Sequence, residues 1–311
     1  MDILIVKLGA TGDVVRTTPL LRRLSGQITW LTERKNAVLL EGLTDNLRCF
    51  SWEDREKVLD RHYGIVINLE DTLVVAQFLK RVDCNEIFGA YAGLDNSLQY
   101  TDNSRCWFDL SLISVYGKQE ADTLKLQNRQ TYQELIFGGL GLHFEGETYL
   151  LPQPIETGLS GDIAIAAEAG PVWPMKKWAY YGKLQEALEA QRLMVNVLPK
   201  RSSLLGHLSD VQSHRCLVGG DSLPMHFALG TATRCVTLFT CTSPWEIYGY
   251  GVQRQIISPL LKEFFYKRGY DERATTAITV DEVFTAVMAQ LETAPAANSS
   301  TAKAFASRTV K

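Results

Sequence analysis

Two stretches of this chain hold side chains whose types and spacing could do chemistry. The first is Gly12-Asp13, in a glycine-flanked loop that follows the aliphatic run from Ile3. A carboxylate on such a loop can project into a cleft, where it could exchange a proton with a bound group. Asp13 could equally cap the helix that follows. The second stretch runs from Val218 to Gly251 and contains Gly219, Gly220, Asp221, Ser222, Leu223, Pro224, Met225 and His226, then Cys235 to Phe239, then the polar loop Thr240 to Pro244 with Thr242 in it. It reads as a strand, a sharp Gly-Gly turn, a helix from Ser222 to Gly230, and a second strand ending in the loop. Two strand ends and one helix start therefore meet at one sheet edge, where ligands of open parallel sheets sit. Free amides at a helix N-terminus favour an anionic group such as phosphate. His226, one turn into that helix, is read either as a substrate contact or as a core histidine tying two loops together.

A third element connects the two. Lys176 and Lys177 sit between a strand at 163–167 and a helix running to about Gln191. Lysines at such a junction could clamp a diphosphate, a point charge on a long stem reaching an anion held by amides. Exposed lysines are also commonly just solvated.

These residues are carried by an alternation of short apolar strands and helical segments. Strands are expected at 3–8, 28–31, 47–50 and 65–69 in the first half, and at 163–167, 193–198, 215–218, 235–239 and 254–257 in the second, so each half is a parallel sheet covered by helices on both faces. A helix is expected over 14–24, starting at or near Pro19 because a proline inside it would remove a hydrogen bond. Glu70 and Asp71 follow the fourth strand, where they could line a pocket or, through Asp71, cap a helix. Residues 89–127 show no clean period and read as an elaborated loop near a binding site, its Tyr91, Tyr100, Trp107 and Tyr116 either stacking on a ligand or packing the insertion down. The Pro- and Gly-bearing segment 145–161 reads as a linker. Domains are expected at 1–150 and 161–292, with a disordered tail at 293–311.

The chain has 311 residues, 46% of them hydrophobic, enough for two sizeable cores. A net charge of −3 and the lack of a basic block give no reason to expect nucleic acid. No apolar run approaches the about 20 residues of a membrane span. No basic leader precedes Ile3, and the six cysteines form no pair or framework, which points to reduced thiols in a cytoplasmic protein. No cluster of metal ligands is visible, and no cofactor is expected.

The offsets of Lys7, Gly12, Asp13, Thr17 and Pro19, the Lys176/Trp178 pair, and the block from Asp221 through Thr242, Ser243 and Pro244 to the Tyr-Gly-Tyr-Gly at 248–251 resemble the ADP-heptose:lipopolysaccharide heptosyltransferases, glycosyltransferase family 9. The resemblance spans most of the chain and keeps the order of elements. It implies the GT-B architecture, two Rossmann-like domains facing across a cleft, with the acceptor on the first and the nucleotide sugar on the second. It further implies metal-independent, inverting transfer of a sugar, a heptose from ADP-heptose first among candidates, to a glycan or glycoconjugate hydroxyl, with peripheral membrane contact where that acceptor is lipid-linked. On this reading Asp13 and Lys176 are catalytic, and Gly12, Lys176, Asp221, Ser222, Leu223, His226 and Thr242 bind the donor. The chain departs from the family in having Leu223 where many members have glycine, and no carboxylate in 199–203, where an acid often reaches the donor ribose.

Two other classes remain. A non-catalytic nucleotide-sugar-binding protein would share the motifs and is separated by turnover. A nicotinamide-dependent oxidoreductase would want Gly-x-Gly-x-x-Gly after the first strand, and Gly9-Ala10-Thr11-Gly12 lacks that spacing.

Overall fold

The structure, a computed structural model, describes residues 1–111 and 116–292; the tail expected to be disordered lies outside the described residues. Two sheets form, one in each half. The first contains β1 (Ile3–Val6), β2 (Ile28–Thr32), β3 (Leu47–Ser51), β4 (Tyr63–Asn68), β5 (Cys84–Ala92) and β6 (Leu98–Tyr100) in the order β3-β2-β1-β4-β5-β6. All its pairings are parallel except β5 with β6. The second contains β7 (Gly161–Ala166), β8 (Val195–Val197), β9 (His214–Gly220), β10 (Arg234–Phe239) and β11 (Gln253–Ile257), parallel throughout, in the order β11-β10-β9-β7-β8.

The uninterrupted apolar run of β1 follows from burial on both faces. Ile3 and Ile5 enter one core with Ile28, Ile67 and Phe137, while Leu4 and Val6 enter another with Leu31, Val66 and Leu79. The same division holds in β7, where Ile163 and Ile165 pack with Trp178 and Val287, and Ala164 and Ala166 pack with Leu217 and Phe227. That last core also takes in Val15 and Leu39 from the first half, so helix Thr11–Thr17 is packed against helix Leu223–Gly230.

Several local expectations are corrected. The helix expected near Pro19 begins at Thr11, and Pro19 instead opens a 3-10 turn, Thr18–Arg22, where its missing N–H costs nothing. Gly219 and Gly220 form no turn but the end of β9. A Cβ at Gly219 would lie 2.9 Å from Ala166 Cβ on the neighbouring strand, and one at Gly220 would lie 3.0 Å from the Lys176 carbonyl oxygen, so these glycines serve close approach. The stretch at 89–127 is more regular than a loop: it completes β5, adds β6 and carries helix Lys118–Gln127. The segment at 145–161 has no strand or helix before Gly161, yet it is tied to both halves. Thr148 O accepts from Arg22 Nε at 2.7 Å, Leu150 N donates to Thr18 Oγ1 at 2.9 Å, and Glu147 O accepts from Tyr250 Oη at 3.0 Å. Among the described residues no helix is long and apolar enough to cross a membrane.

Candidate active site

Each sheet has one place where the strand order reverses, β1 beside β4 in the first and β7 beside β9 in the second. Connections leave such a pair in opposite directions and open a crevice at its carboxyl end. The two crevices face each other and share one cavity of about 430 Å³, within the usual range for a small-molecule site. From the first half it is lined by Lys7, Gly12, Asp13, Arg16 and Asp71, and from the second by Lys176, Asp221, Ser222, Leu223, His226 and Thr242. All eight residues expected at the site therefore border it.

Asp13 lies in the first turn of helix Thr11–Thr17, whose N-cap is Ala10, so the capping role open to it in the sequence is not the one it fills. Its side chain keeps 34% of its exposure and pairs with Arg16 Nε at 3.0 Å. Burial opposes its charge, but Arg16 and Lys7 outweigh that and hold the carboxyl below its ordinary value, so it is ionised at neutral pH. The loop that delivers it is fixed from β4: Glu70 Oε1 accepts from Lys7 Nζ and Leu8 N, both at 2.8 Å. Asp71, in turn, does not cap a helix. Thr72 occupies the N-cap of Leu73–Leu79, and Asp71 accepts from Ser111 Oγ at 3.2 Å, its carboxyl pushed up by burial.

Gly12 explains itself through His226. A Cβ at Gly12 would stand 2.8 Å from His226 Cδ2, so the two helix starts meet only because this position has no side chain. His226 is buried, its Nδ1 3.4 Å from Tyr149 Oη, and burial drives its pKa down to about 4 despite the nearby Asp221. It is a neutral imidazole at pH 7, packed between Gly12 and Tyr149 and bordering the cavity.

On the opposite wall, Lys176 ends a 3-10 turn, Pro174–Lys176, and its Nζ donates to Asp221 O at 2.7 Å and Asp221 Oδ2 at 2.9 Å. Burial works against the Asp221 charge, but Lys176 lowers its pKa to about 2. Lys177 points elsewhere, to the exposed Glu168 at 3.0 Å, so of the two lysines only Lys176 lines the cavity. Trp178 is buried, donating Nε1 to Ile278 O at 2.9 Å. Helix Leu223–Gly230 starts at the cavity with Ser222 as its N-cap. Pro224 in its first turn has no N–H, and Met225 N and His226 N donate to Ser222 O at 3.0 and 3.4 Å, so Leu223 N is the one amide of that turn left to a ligand; the Ser222 hydroxyl donates back to Gly220 O at 3.3 Å. Beside it, Thr242 Oγ1 and Ser243 Oγ are buried and make no hydrogen bond among the described residues. Buried hydroxyls without partners are uncommon, and at a cavity wall they mark where a polar ligand belongs.

Sequence reasoning passed over Arg16, Lys125, Tyr132 and Glu246, all of which line the cavity, and of the four aromatics weighed in 89–127 it is Trp107 that reaches it. Arg16, one helical turn after Asp13, carried a legible signal. Lys125 and Glu246 carried none, since their burial depends on contacts far along the chain. The residues 199–203 supply no acid to the cavity, and Arg201 there pairs with Asp210 at 2.7 Å. Among the described residues no group of three or more His, Cys, Asp or Glu is placed to hold a metal ion.

Comparison with known proteins agrees with this geometry. Residues 172–268 match the family model of glycosyltransferase family 9 (heptosyltransferase). Among solved structures, E. coli heptosyltransferase WaaC with ADP superposes with a TM-score of 0.61 at 15% identity, covering 93% of this chain and 100% of that one. The family 9 glycosyl transferase from Veillonella parvula DSM 2008 gives 0.65 at 15% identity over 93% and 97%. The iron-containing dodecameric glycosyltransferase TibC from enterotoxigenic E. coli H10407 gives 0.55 at 10% identity over 93% and 75%. No curated protein matches in a sequence comparison. At these identities the structures speak for the fold, which is GT-B as expected. The family model over 172–268 bears out, for that part of the chain, the resemblance seen in the sequence to the heptosyltransferases of glycosyltransferase family 9.

Proposed function

We propose that the protein moves a sugar from a nucleotide-diphosphate donor, ADP-heptose first among candidates, to a hydroxyl of a glycan or glycoconjugate, with inversion at the anomeric carbon. One observation carries the reading: the Asp13 carboxylate and the Lys176/Ser222 cradle confront each other across a single cavity. Residues 1–150 are the acceptor domain and 161–292 the donor domain.

In the proposed step, Asp13 takes the proton of the acceptor hydroxyl, and the oxygen attacks the anomeric carbon as its bond to the diphosphate oxygen breaks. Negative charge then grows on the leaving nucleoside diphosphate. We assign its stabilisation to Lys176 Nζ, the Leu223 amide at the start of helix Leu223–Gly230 and the Thr242 hydroxyl, all of which border the cavity. Asp221 acts as the anchor of Lys176, holding Nζ at 2.9 Å. Because lysine and amides do the neutralising, the step as written needs no metal. A cytoplasmic setting, with a lipid-linked acceptor presented at a membrane surface, fits a family whose solved members include E. coli heptosyltransferases.

The test is a mass-spectrometric screen of nucleotide sugars with glycan acceptors, ADP-heptose included. Transfer with inverted configuration is expected. Tight nucleotide-sugar binding with no turnover of any donor would overturn the transferase reading in favour of a binding protein.

A further inference from the structure

The proposed step gives no role to Glu246, Arg16 and Lys125, which line the cavity together. Glu246, in the loop after β10, is buried, its side chain keeping 5% of its exposure. Its backbone is held across the halves, Glu246 O accepting from Tyr132 N at 3.0 Å. A carboxylate this deep is unfavourable without compensation. Compensation comes as charge: Arg16 Nη1 lies 3.7 Å from Oε2, and Lys125 Nζ lies 3.3 Å from Oε1. It does not come as hydrogen bonding, for neither carboxylate oxygen accepts a hydrogen bond among the described residues, and Oε1 is an orphaned buried atom. The two cations are better provided for. Arg16 also rests 4.1 Å from the Tyr132 ring centroid and pairs with Asp13, and Lys125 rests 4.5 Å from the Tyr266 centroid.

Of the remaining cations that line the cavity, Lys7 is paired with Glu70, and Lys176, paired with Asp221, is assigned above to the donor diphosphate. An acidic sugar would have to displace a carboxylate of the protein from its cation, whereas a neutral sugar brings hydroxyl protons to lone pairs that lack them. Hydrogen bonds to an ionised acceptor are the strong class.

We propose that Glu246 is a specificity-determining residue: it receives a hydroxyl of an uncharged, polyhydroxylated acceptor sugar and, by neutralising Arg16 and Lys125, disfavours an acidic one. The word acceptor rests on the transferase reading; the preference for a neutral sugar does not.

The experiment measures equilibrium binding of a methyl glycoside and of its uronate counterpart to the full chain in the presence of ADP, followed by intrinsic fluorescence, since Trp107 and Trp173 line the cavity. The neutral glycoside should bind at least about tenfold tighter, as loss of one hydrogen bond to a charged group implies, and Glu246→Gln should erase or reverse that ranking. Equal or tighter binding of the uronate to the wild type, no binding of the neutral glycoside at high millimolar concentration, or an unchanged ranking in a folded Glu246→Gln would each overturn the inference. If the variant fails to fold, as its thermal transition would report, the wild-type ranking alone decides. Transfer from ADP-heptose is read separately: a neutral preference without transfer leaves this inference standing and sinks the proposed function, and transfer with an acidic preference does the reverse.

Discussion

The two walls of the cavity are built in different ways. On the first-half side the groups are long charged side chains, Lys7, Asp13, Arg16 and Lys125, each compensated by another charge, and Arg16 and Lys125 also by aromatic rings. Around the Lys176/Asp221 pair of the second half the groups are small, namely the start of helix Leu223–Gly230 and the unpartnered hydroxyls of Thr242 and Ser243, while the second half's Glu246 sits among the first wall's cations and its His226 at the seam. The contrast fits two tasks. Shifting a proton needs a side chain whose charge is set by its neighbours, while holding a diphosphate needs backbone groups and space. The seam where the walls meet depends on the absence of a side chain at Gly12.

The sharpest way to break this comparison is to remove one charge from the first wall and leave the second intact. Asp13→Asn should lower the transfer rate by about 10³-fold and change ADP affinity by less than about twofold, read by steady-state kinetics beside calorimetry. An equal loss of both would mean that the walls do not divide the work.

At the seam, His226 makes the division depend on pH. Its folded-state pKa of about 4 lies below the 6.5 of a free histidine, so the unfolded chain binds the extra proton first. Its contribution is fully present above pH 6.5 and drains away as pH falls toward 4, about 3 kcal/mol in all. Denaturant unfolding at stepped pH should show a steeper decline for the wild type than for His226→Gln. Parallel profiles would remove the buried neutral imidazole from the account.

Gly12→Ala tests the same seam sterically. The added methyl meets the His226 ring, and relief requires the two helix starts to part, so a loss of about 2 kcal/mol in stability is expected, with transfer falling more than nucleotide binding. A variant as stable as the wild type would show that the halves approach less closely than 2.8 Å implies. The smallest effect belongs to the second wall. Thr242→Val removes one hydroxyl and keeps the shape, so donor affinity should weaken by about five- to tenfold, one hydrogen bond's worth, with folding stability unchanged or slightly improved because an unpartnered buried hydroxyl is gone.

How far this site could be read in advance follows from the range of the forces involved. Strand positions were legible because burial on both faces of a parallel sheet leaves an unbroken aliphatic run, as in Ile3–Val6. Asp13, Lys176 and Asp221 were legible because each follows a strand end, where topology confines ligands. Gly219 and Gly220 were misread because glycine is silent on whether it serves a turn or a close contact; the contact partners, Ala166 and Lys176, are distant in sequence. Helix Lys118–Gln127 escaped notice because its buried face carries Lys125, a residue that looks like solvent-facing surface until Glu246 and two aromatic rings surround it.

The sequence by itself thus determined the two parallel sheets and the strand ends that bear reactive groups, because backbone propensity and hydrophobic alternation act over a few residues. Only the tertiary structure decided which charges are compensated, that Asp221 serves Lys176, that Gly12 admits His226, and that Glu246 lies between Arg16 and Lys125. Those outcomes depend on electrostatics and packing between residues up to more than two hundred positions apart, whose strength is set by burial, and burial exists only once the chain has closed around the cavity.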